Sequence, residues 1–85
     1  MKEFEYTITD ELGIHARPAG LLVKKAGEFA STVSVENGAK KADAKKIMSL
    51  MMLGAKKGNT LKFTAEGPDE DAAAEALEAF MKENL

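Results

Sequence analysis

The sequence contains no cysteine and no tryptophan, and it has a single histidine and only two prolines. Without cysteine the chain can form neither disulfides nor thiolate active sites, and zinc or iron–sulfur centres with sulfur ligands are excluded. A metal site built on one histidine would need carboxylate partners, and the sequence suggests none beside it. We therefore predict neither a metal nor a cofactor.

Long apolar runs are also missing. No stretch approaches the roughly 20 residues that a membrane-spanning helix needs, and the charged, alternating residues 1–5 differ from a signal peptide. We expect a cytoplasmic protein without membrane insertion. The chain has 85 residues, 45% hydrophobic and 31% charged, which is typical of one globular domain over 1–85. A domain of this size has little room for an enclosed cavity, so its chemistry should lie at the surface.

The net charge of −2 is unevenly distributed along the chain. Residues 24–57 contain eight lysines against three acidic residues, whereas residues 66–85 contain seven acidic residues and one lysine. A basic middle can steer an acidic partner. A pI near 5.4 is unfavourable for general nucleic-acid binding.

Hydrophobic periodicity predicts four strands and three helices. Alternation predicts strands over 3–9, 32–36, 39–43 and 61–65, with Asn37-Gly38 as the central residues of a hairpin turn. Helical spacing predicts helices from about 16 to Gly27, over 46–53, and from Asp69, which should cap it, to Met81. The order βαββαβα favours an α+β fold, a four-stranded, mostly antiparallel sheet with three helices on one face.

The single histidine, His15, lies just ahead of the first predicted helix. A lone histidine is more often an ordinary surface or capping residue, and Arg17 taken alone is an ordinary exposed charge. A helix N-terminus, however, offers N–H groups without intrahelical partners and favours phosphate. Ala16 and Arg17 would supply such N–H groups, and the guanidinium of Arg17 suits phosphate oxygens. Because neutral imidazole is nucleophilic toward phosphorus, this context predicts a reversible phosphoryl site on His15.

The segment Gly13-Ile14-His15-Ala16-Arg17-Pro18-Ala19 resembles the active-site signature of the HPr family, the histidine-containing phosphocarriers of the bacterial phosphoenolpyruvate-dependent sugar phosphotransferase system. The similarity extends over essentially the whole chain and includes the stretch 45–54 and the pattern 61–67. It implies an HPr-like open-faced sandwich. It also implies that His15 accepts a phosphoryl group on Nδ1 from phosphorylated Enzyme I and donates it to IIA domains of sugar permeases, with Arg17 stabilising the phosphate.

The second predicted helix supports a carrier role. Its leucines at 50 and 53 point to one side, and its other apolar residues spread over the opposite side, either as a broad core stripe or as an exposed surface. Methionine repacks against different shapes, which suits a protein with several partners. The resemblance places both helices beside the active histidine. The predicted partner-contact residues are Leu21, Lys24, Ile47, Met48, Met51 and Met52.

Two positions depart from the family pattern. Many relatives carry a regulatory serine, phosphorylated by an HPr kinase, where this chain has Lys46. The usual regulation is therefore expected to be absent, and Ser49, predicted to point toward the core, is a poor substitute. Leu12 stands where relatives often have a small polar residue beside the phosphate. Its loss could remove one hydrogen bond, worth about 1 kcal/mol.

Three alternatives to a sugar-system carrier follow from the sequence. A regulatory module could keep the fold and dock without transferring phosphate, although the intact His15–Arg17 pair argues against it. A small nucleic-acid-binding domain is disfavoured because the basic segment lacks a stacking aromatic residue. A paralogue serving nitrogen regulation or a dihydroxyacetone kinase relay is also compatible with the sequence. We expect a monomer, because a carrier must expose its site to successive partners.

Overall fold

A computed structural model describes residues 1–11, 13–14 and 16–85. The elements follow the predicted order and are β1 (Lys2–Thr7), α1 (Ala16–Gly27), β2 (Thr32–Asn37), β3 (Lys40–Asp43), α2 (Ile47–Met52), β4 (Thr60–Glu66) and α3 (Glu70–Asn84).

The four strands form one sheet in the order β1-β4-β2-β3, and every neighbouring pair is antiparallel. The predicted α+β architecture is thereby confirmed. β4 and β2 lie at the centre, and β1 and β3 form the two edges. β1 therefore pairs with a strand more than fifty residues away, with Phe4 opposite Phe63 and their rings stacked at 4.7 Å between centroids.

The core lies between the sheet and the helices. Alternate residues of the central strands, such as Val35 and Phe63, are buried beneath Leu22 of α1 and Leu77 of α3. Each such side chain contributes about 1.5–3 kcal/mol by leaving water. The side of α3 that faces the core carries Ala73, Leu77, Phe80 and Met81, which are buried, and Ala76, which is only partly buried.

The other face of the sheet carries polar and charged side chains. One row of side chains on this face crosses all four strands and alternates in charge. In the strand register, Glu5 lies opposite Lys62, Lys62 opposite Glu36, and Glu36 opposite Lys41. Lys62 Nζ also lies 3.0 Å from a carboxylate oxygen of Glu3. The hydrogen bond to Glu3, aided by that carboxylate's charge, raises the pKa of Lys62. The fold thus presents a polar sheet face and an opposite helical face.

The hairpin between β2 and β3 lies one residue later than predicted. Asn37 is the last residue of β2 and pairs with Lys40, so the two turn residues are Gly38 and Ala39. Gly38 alone has a positive φ, 63°, as in turns with glycine at the first central position. The prediction of Asn37-Gly38 as the central pair was therefore wrong.

The side chain of Asp69 does not cap α3 as predicted. It stands directly before the helix without a capping hydrogen bond. Its carboxylate instead accepts hydrogen bonds from the loop before β2 (Ala30 and Ser31). At the start of α3, the N–H of Gly67 donates to Glu70 Oε1 over 3.3 Å.

None of the described helices has the length and apolarity required to cross a bilayer.

Candidate functional site

The segment entering α1 is held against the loop that follows α2. The N–H of Ile14 donates to the carbonyl oxygen of Ala55 over 3.2 Å. Gly13 is buried with φ +67°. A Cβ at this position would overlap the Ala55 oxygen and lie 2.8 Å from Lys56 Cα. Only glycine can therefore bring the chain this close to residues 55–56 without strain.

A second contact holds the same loop at its beginning. The N–H groups of Thr9 and Asp10 donate to the carbonyl oxygen of Leu85 over 2.6 and 2.9 Å, and the Thr9 hydroxyl donates to it over 2.8 Å. The loop between β1 and α1 is thus tied to the end of α3 and to the loop after α2. This fixes the direction from which the chain enters α1.

Helix α1 begins at Ala16, so Pro18 lies in its first turn, where a missing N–H costs no hydrogen bond. The N–H groups of a first helical turn have no partner within the helix, and the helix dipole is positive there. Ala16 and Arg17 contribute two such N–H groups. His15, the predicted phosphoryl acceptor, and Leu12 lie outside the described residues. The described start of α1 has the features of an anion-binding helix terminus.

Arg17 is exposed and lines a shallow cavity of about 170 Å³. The same cavity is lined by Asp10 from the loop after β1 and by Glu83 from the end of α3. The guanidinium therefore shares its surroundings with two carboxylates.

The predicted partner-contact residues lie exposed on adjacent helices. α1 packs against α2, and a Cβ placed on Gly20 would lie 3.8 Å from Ile47 Cδ1. Leu50 and Leu53 are buried, as predicted. Five large apolar side chains of the two helices are exposed, at 41% for Leu21, 39% for Ile47, 68% for Met48, 42% for Met51 and 73% for Met52. We call these five residues the docking face.

The chain segments that carry the docking face are cationic, although Asp10 and Glu83 line the same cavity as its Leu21. Residues 16–27 and 44–58 contain no Asp or Glu, and Arg17, Lys24 and Lys46 are all exposed there. Lys46 directly precedes α2 in an extended backbone conformation, with φ −123° and ψ 113°. An apolar centre with cationic neighbours suits a partner whose surface is apolar and acidic.

Within the described part of the chain, His, Cys, Asp and Glu side chains form no group of three or more that could hold a metal ion. The sequence did not predict the contributions of Ala55, Glu83 and Leu85. These residues reach the site from chain segments far from His15, and nothing in the local sequence signals such long-range contacts.

The comparisons with known proteins decide the family. A family model described as "PTS HPr component phosphorylation site" matches residues 2–83. The phosphocarrier protein HPr of Lysinibacillus sphaericus is 46% identical over 83 residues, covering 98% of this chain and 94% of the relative. This chain belongs to the HPr family. As a member of that family it has a phosphoryl-carrier role in the phosphotransferase system, and phosphohistidine chemistry and sugar transport are general properties of the family.

Solved HPr structures agree with this assignment. The crystal structure of an HPr from Thermoanaerobacter tengcongensis is 45% identical and superposes with a TM-score of 0.92, covering 96% of this chain and 92% of that one. A mycoplasma histidine-containing phosphocarrier is 35% identical with a TM-score of 0.94, covering 96% and 93%. The catabolite repression protein Crh of Bacillus subtilis, described as a domain-swapped dimer, is 38% identical with a TM-score of 0.79, covering 100% and 98%.

Proposed function

We propose that this HPr-family chain carries its phosphoryl group on His15. The donor is phosphorylated Enzyme I and the acceptors are IIA domains of sugar permeases, and the whole of 1–85 acts as one carrier domain in the cytoplasm. The single observation that carries the proposal is the placement of Ala16 and Arg17 in the first turn of α1, directly after the only histidine of the chain.

In the proposed step, the lone pair of the imidazole Nδ1 attacks the phosphorus of the donor. A new nitrogen–phosphorus bond forms on His15 as the bond between phosphorus and the donor breaks, and the donor keeps that electron pair. The N–H groups of Ala16 and Arg17 and the Arg17 guanidinium hold the phosphoryl oxygens. Donation to a IIA domain is the same step in reverse, with the acceptor as the nucleophile.

The docking face is proposed to contact Enzyme I and IIA domains in turn. Its exposed methionines adapt to partners of different shape, and its cationic neighbours attract acidic partner surfaces. Met48→Glu should slow phosphoryl transfer from Enzyme I, because it places a negative charge in the apolar centre. Ala79→Glu is the matched control, since it adds the same charge at an exposed position of α3. Equal rates for the two variants would contradict docking at this face.

We propose that HPr kinase does not phosphorylate this chain, because Lys46 stands where relatives carry the regulatory serine. Lys46 offers no hydroxyl, and half-buried Ser49 lies within α2 rather than at its start. Incubation with an HPr kinase and ATP should therefore add no mass to this protein. Lys46→Ser should gain one phosphoryl group under the same conditions. Phosphorylation of the unsubstituted chain within residues 46–49 would contradict the proposal.

The similarity to Crh favours a second candidate, a dimeric regulatory module that docks without transferring phosphate. We favour a monomeric carrier. Within the chain β1 pairs with β4 along its whole length, and Phe4 stacks on Phe63. Sedimentation velocity should give a species near 9.1 kDa. A stable species of twice that mass would contradict the monomer.

The deciding experiment is intact mass after incubation with phosphoenolpyruvate, magnesium and a bacterial Enzyme I. We expect a gain of one acid-labile phosphoryl group that is absent from His15→Ala. No gain by the folded protein, with an Enzyme I that phosphorylates another HPr, would overturn the proposal. Subsequent transfer to sugar-permease IIA domains, compared with nitrogen-regulation and dihydroxyacetone kinase acceptors, identifies the branch that the carrier serves.

A further inference from the structure

Sulfur is concentrated on the docking face. The chain has five methionines and no cysteine. Three of the methionines, Met48, Met51 and Met52, lie in α2 with exposed fractions of 68%, 42% and 73%. Met81 is fully buried in α3, and Met1 is exposed but lies outside the docking face. The groups in this protein most open to mild oxidants are thus concentrated at one functional surface.

Hydrogen peroxide oxidises an exposed thioether to a sulfoxide. The sulfur lone pair attacks one peroxide oxygen, a sulfur–oxygen bond forms as the oxygen–oxygen bond breaks, and water leaves after proton transfer. Sulfur is oxidised by two electrons and the peroxide is reduced. Methionine sulfoxide reductases reverse the change with a thiol reductant, which ends as a disulfide while the oxygen leaves as water.

We propose that Met48, Met51 and Met52 are a reversible oxidation site that weakens the docking of phosphotransferase partners when peroxide converts them to sulfoxides. The inference rests on the docking role proposed above. A sulfoxide replaces a flexible apolar group by a polar one. Burying its oxygen against an apolar partner surface without a hydrogen bond is unfavourable.

The fold accommodates this modification without losing α2. The helix is held to the core by Leu50 and Leu53, which are buried and contain no sulfur. Met52 lines an open groove of about 420 Å³ together with Ser49 and the lysines at 40 and 41. The hydroxyl and ammonium groups of these residues can donate hydrogen bonds to a sulfoxide oxygen. The oxidised protein is therefore expected to remain folded while its docking face changes from apolar to polar.

To test this, the whole protein is treated with dilute hydrogen peroxide, and the rate of sulfoxide formation at each methionine is followed by peptide mass spectrometry. Met48, Met51 and Met52 should oxidise about tenfold faster than Met81, because access of peroxide limits the reaction. Circular dichroism should be unchanged. The rate of phosphoryl transfer from Enzyme I, measured below saturation, should fall roughly tenfold or more and recover after treatment with methionine sulfoxide reductases A and B.

The triple variant Met48→Leu, Met51→Leu, Met52→Leu removes the three sulfur atoms of α2 and keeps the exposed Met1 and the buried Met81. Its transfer rate before peroxide serves as its own reference, and peroxide should leave that rate unchanged. An equal fall in the variant, an unchanged rate in the fully oxidised parent, or equally fast oxidation of Met81 would each overturn the inference. If the parent protein accepts no phosphoryl group from Enzyme I before peroxide treatment, the proposed function is overturned, and this inference with it.

Discussion

Ser31 and Asp69 are 38 residues apart in the sequence and joined by two hydrogen bonds. Asp69 Oδ1 accepts from the Ser31 hydroxyl and, over 2.9 Å, from the Ser31 N–H, while Oδ2 accepts from the Ala30 N–H over 2.9 Å. Ser31 is fully buried, so its hydroxyl depends on this partner. One carboxylate thus ties the loop between α1 and β2 to the turn that begins α3.

This arrangement predicts a stability that depends on pH. The hydrogen bond from the Ser31 hydroxyl, followed by that from the Ala30 N–H, holds the pKa of Asp69 below its ordinary value of 3.8. Because the folded state lowers this pKa, ionised Asp69 stabilises the fold. This stabilisation is complete above pH 3.8 and is lost as the pH falls through the lower pKa of the folded state. Urea unfolding between pH 7 and pH 2 should show this loss.

Asp69→Asn should lower the urea midpoint at pH 7 and flatten its decline in acid. The amide can keep one oxygen acceptor, but its NH₂ group would then face an N–H donor. Asp71→Asn is the matched control, because this exposed carboxylate contacts only the exposed Lys2 among the ion pairs of the described residues. The prediction fails if the urea midpoints of both variants fall with decreasing pH as the midpoint of the parent does.

Gly13→Ala should destabilise the protein by about 2 kcal/mol or more, because alanine resists the positive φ and its Cβ overlaps the Ala55 oxygen. Phosphoryl acceptance should also slow, since the segment leading to His15 must shift. Gly27→Ala is the control. It lies at the end of α1 with open space around it and should be neutral or stabilising by about 0.5–1 kcal/mol. Equal unfolding curves for the two variants would refute this account.

Asn37→Ala should loosen the end of α2. Its side-chain amide donates to the carbonyl oxygen of Leu53 over 3.1 Å and so connects the β2–β3 hairpin to the helix. We expect a loss of about 1 kcal/mol in the free energy of unfolding and faster amide hydrogen exchange at the end of α2. Lys40→Ala, opposite Asn37 in the hairpin, should leave that exchange unchanged. Unaltered exchange in Asn37→Ala would show that the bond does not hold the helix.

The two sides of α2 should respond differently to truncation. Leu50→Ala removes a fully buried side chain and should cost about 2–5 kcal/mol of stability. Met48→Ala, at a position 68% exposed, should change stability by no more than about 0.5 kcal/mol while slowing transfer from Enzyme I. Urea denaturation and the transfer assay together check this. Comparable destabilisation by the two variants would show that Met48 belongs to the core.

The local sequence predicted the helices and strands well. It predicted strand register at the hairpin and the hydrogen-bond partners of individual side chains poorly. Alternation and helical spacing placed all seven elements, because burial of one face imposes that periodicity. Asn37-Gly38 signalled a turn, but its register followed strand pairing, which puts Asn37 opposite Lys40. Asp69 signalled a helix cap, yet the buried Ser31 and the Ala30 N–H compete for the same carboxylate and bind it.

The sequence by itself determined the order of elements, the position of the only histidine before a helix beginning with Ala16 and Arg17, and the amphipathic character of α2. These features depend on residues close together along the chain. Only the tertiary structure decided that Ala55 and Leu85 fix the loop entering α1, that Glu83 lines the same cavity as Arg17, and that the apolar face of α2 opposite its leucines stays exposed. These contacts join distant segments, and their geometry follows from how the sheet and helices pack around one core.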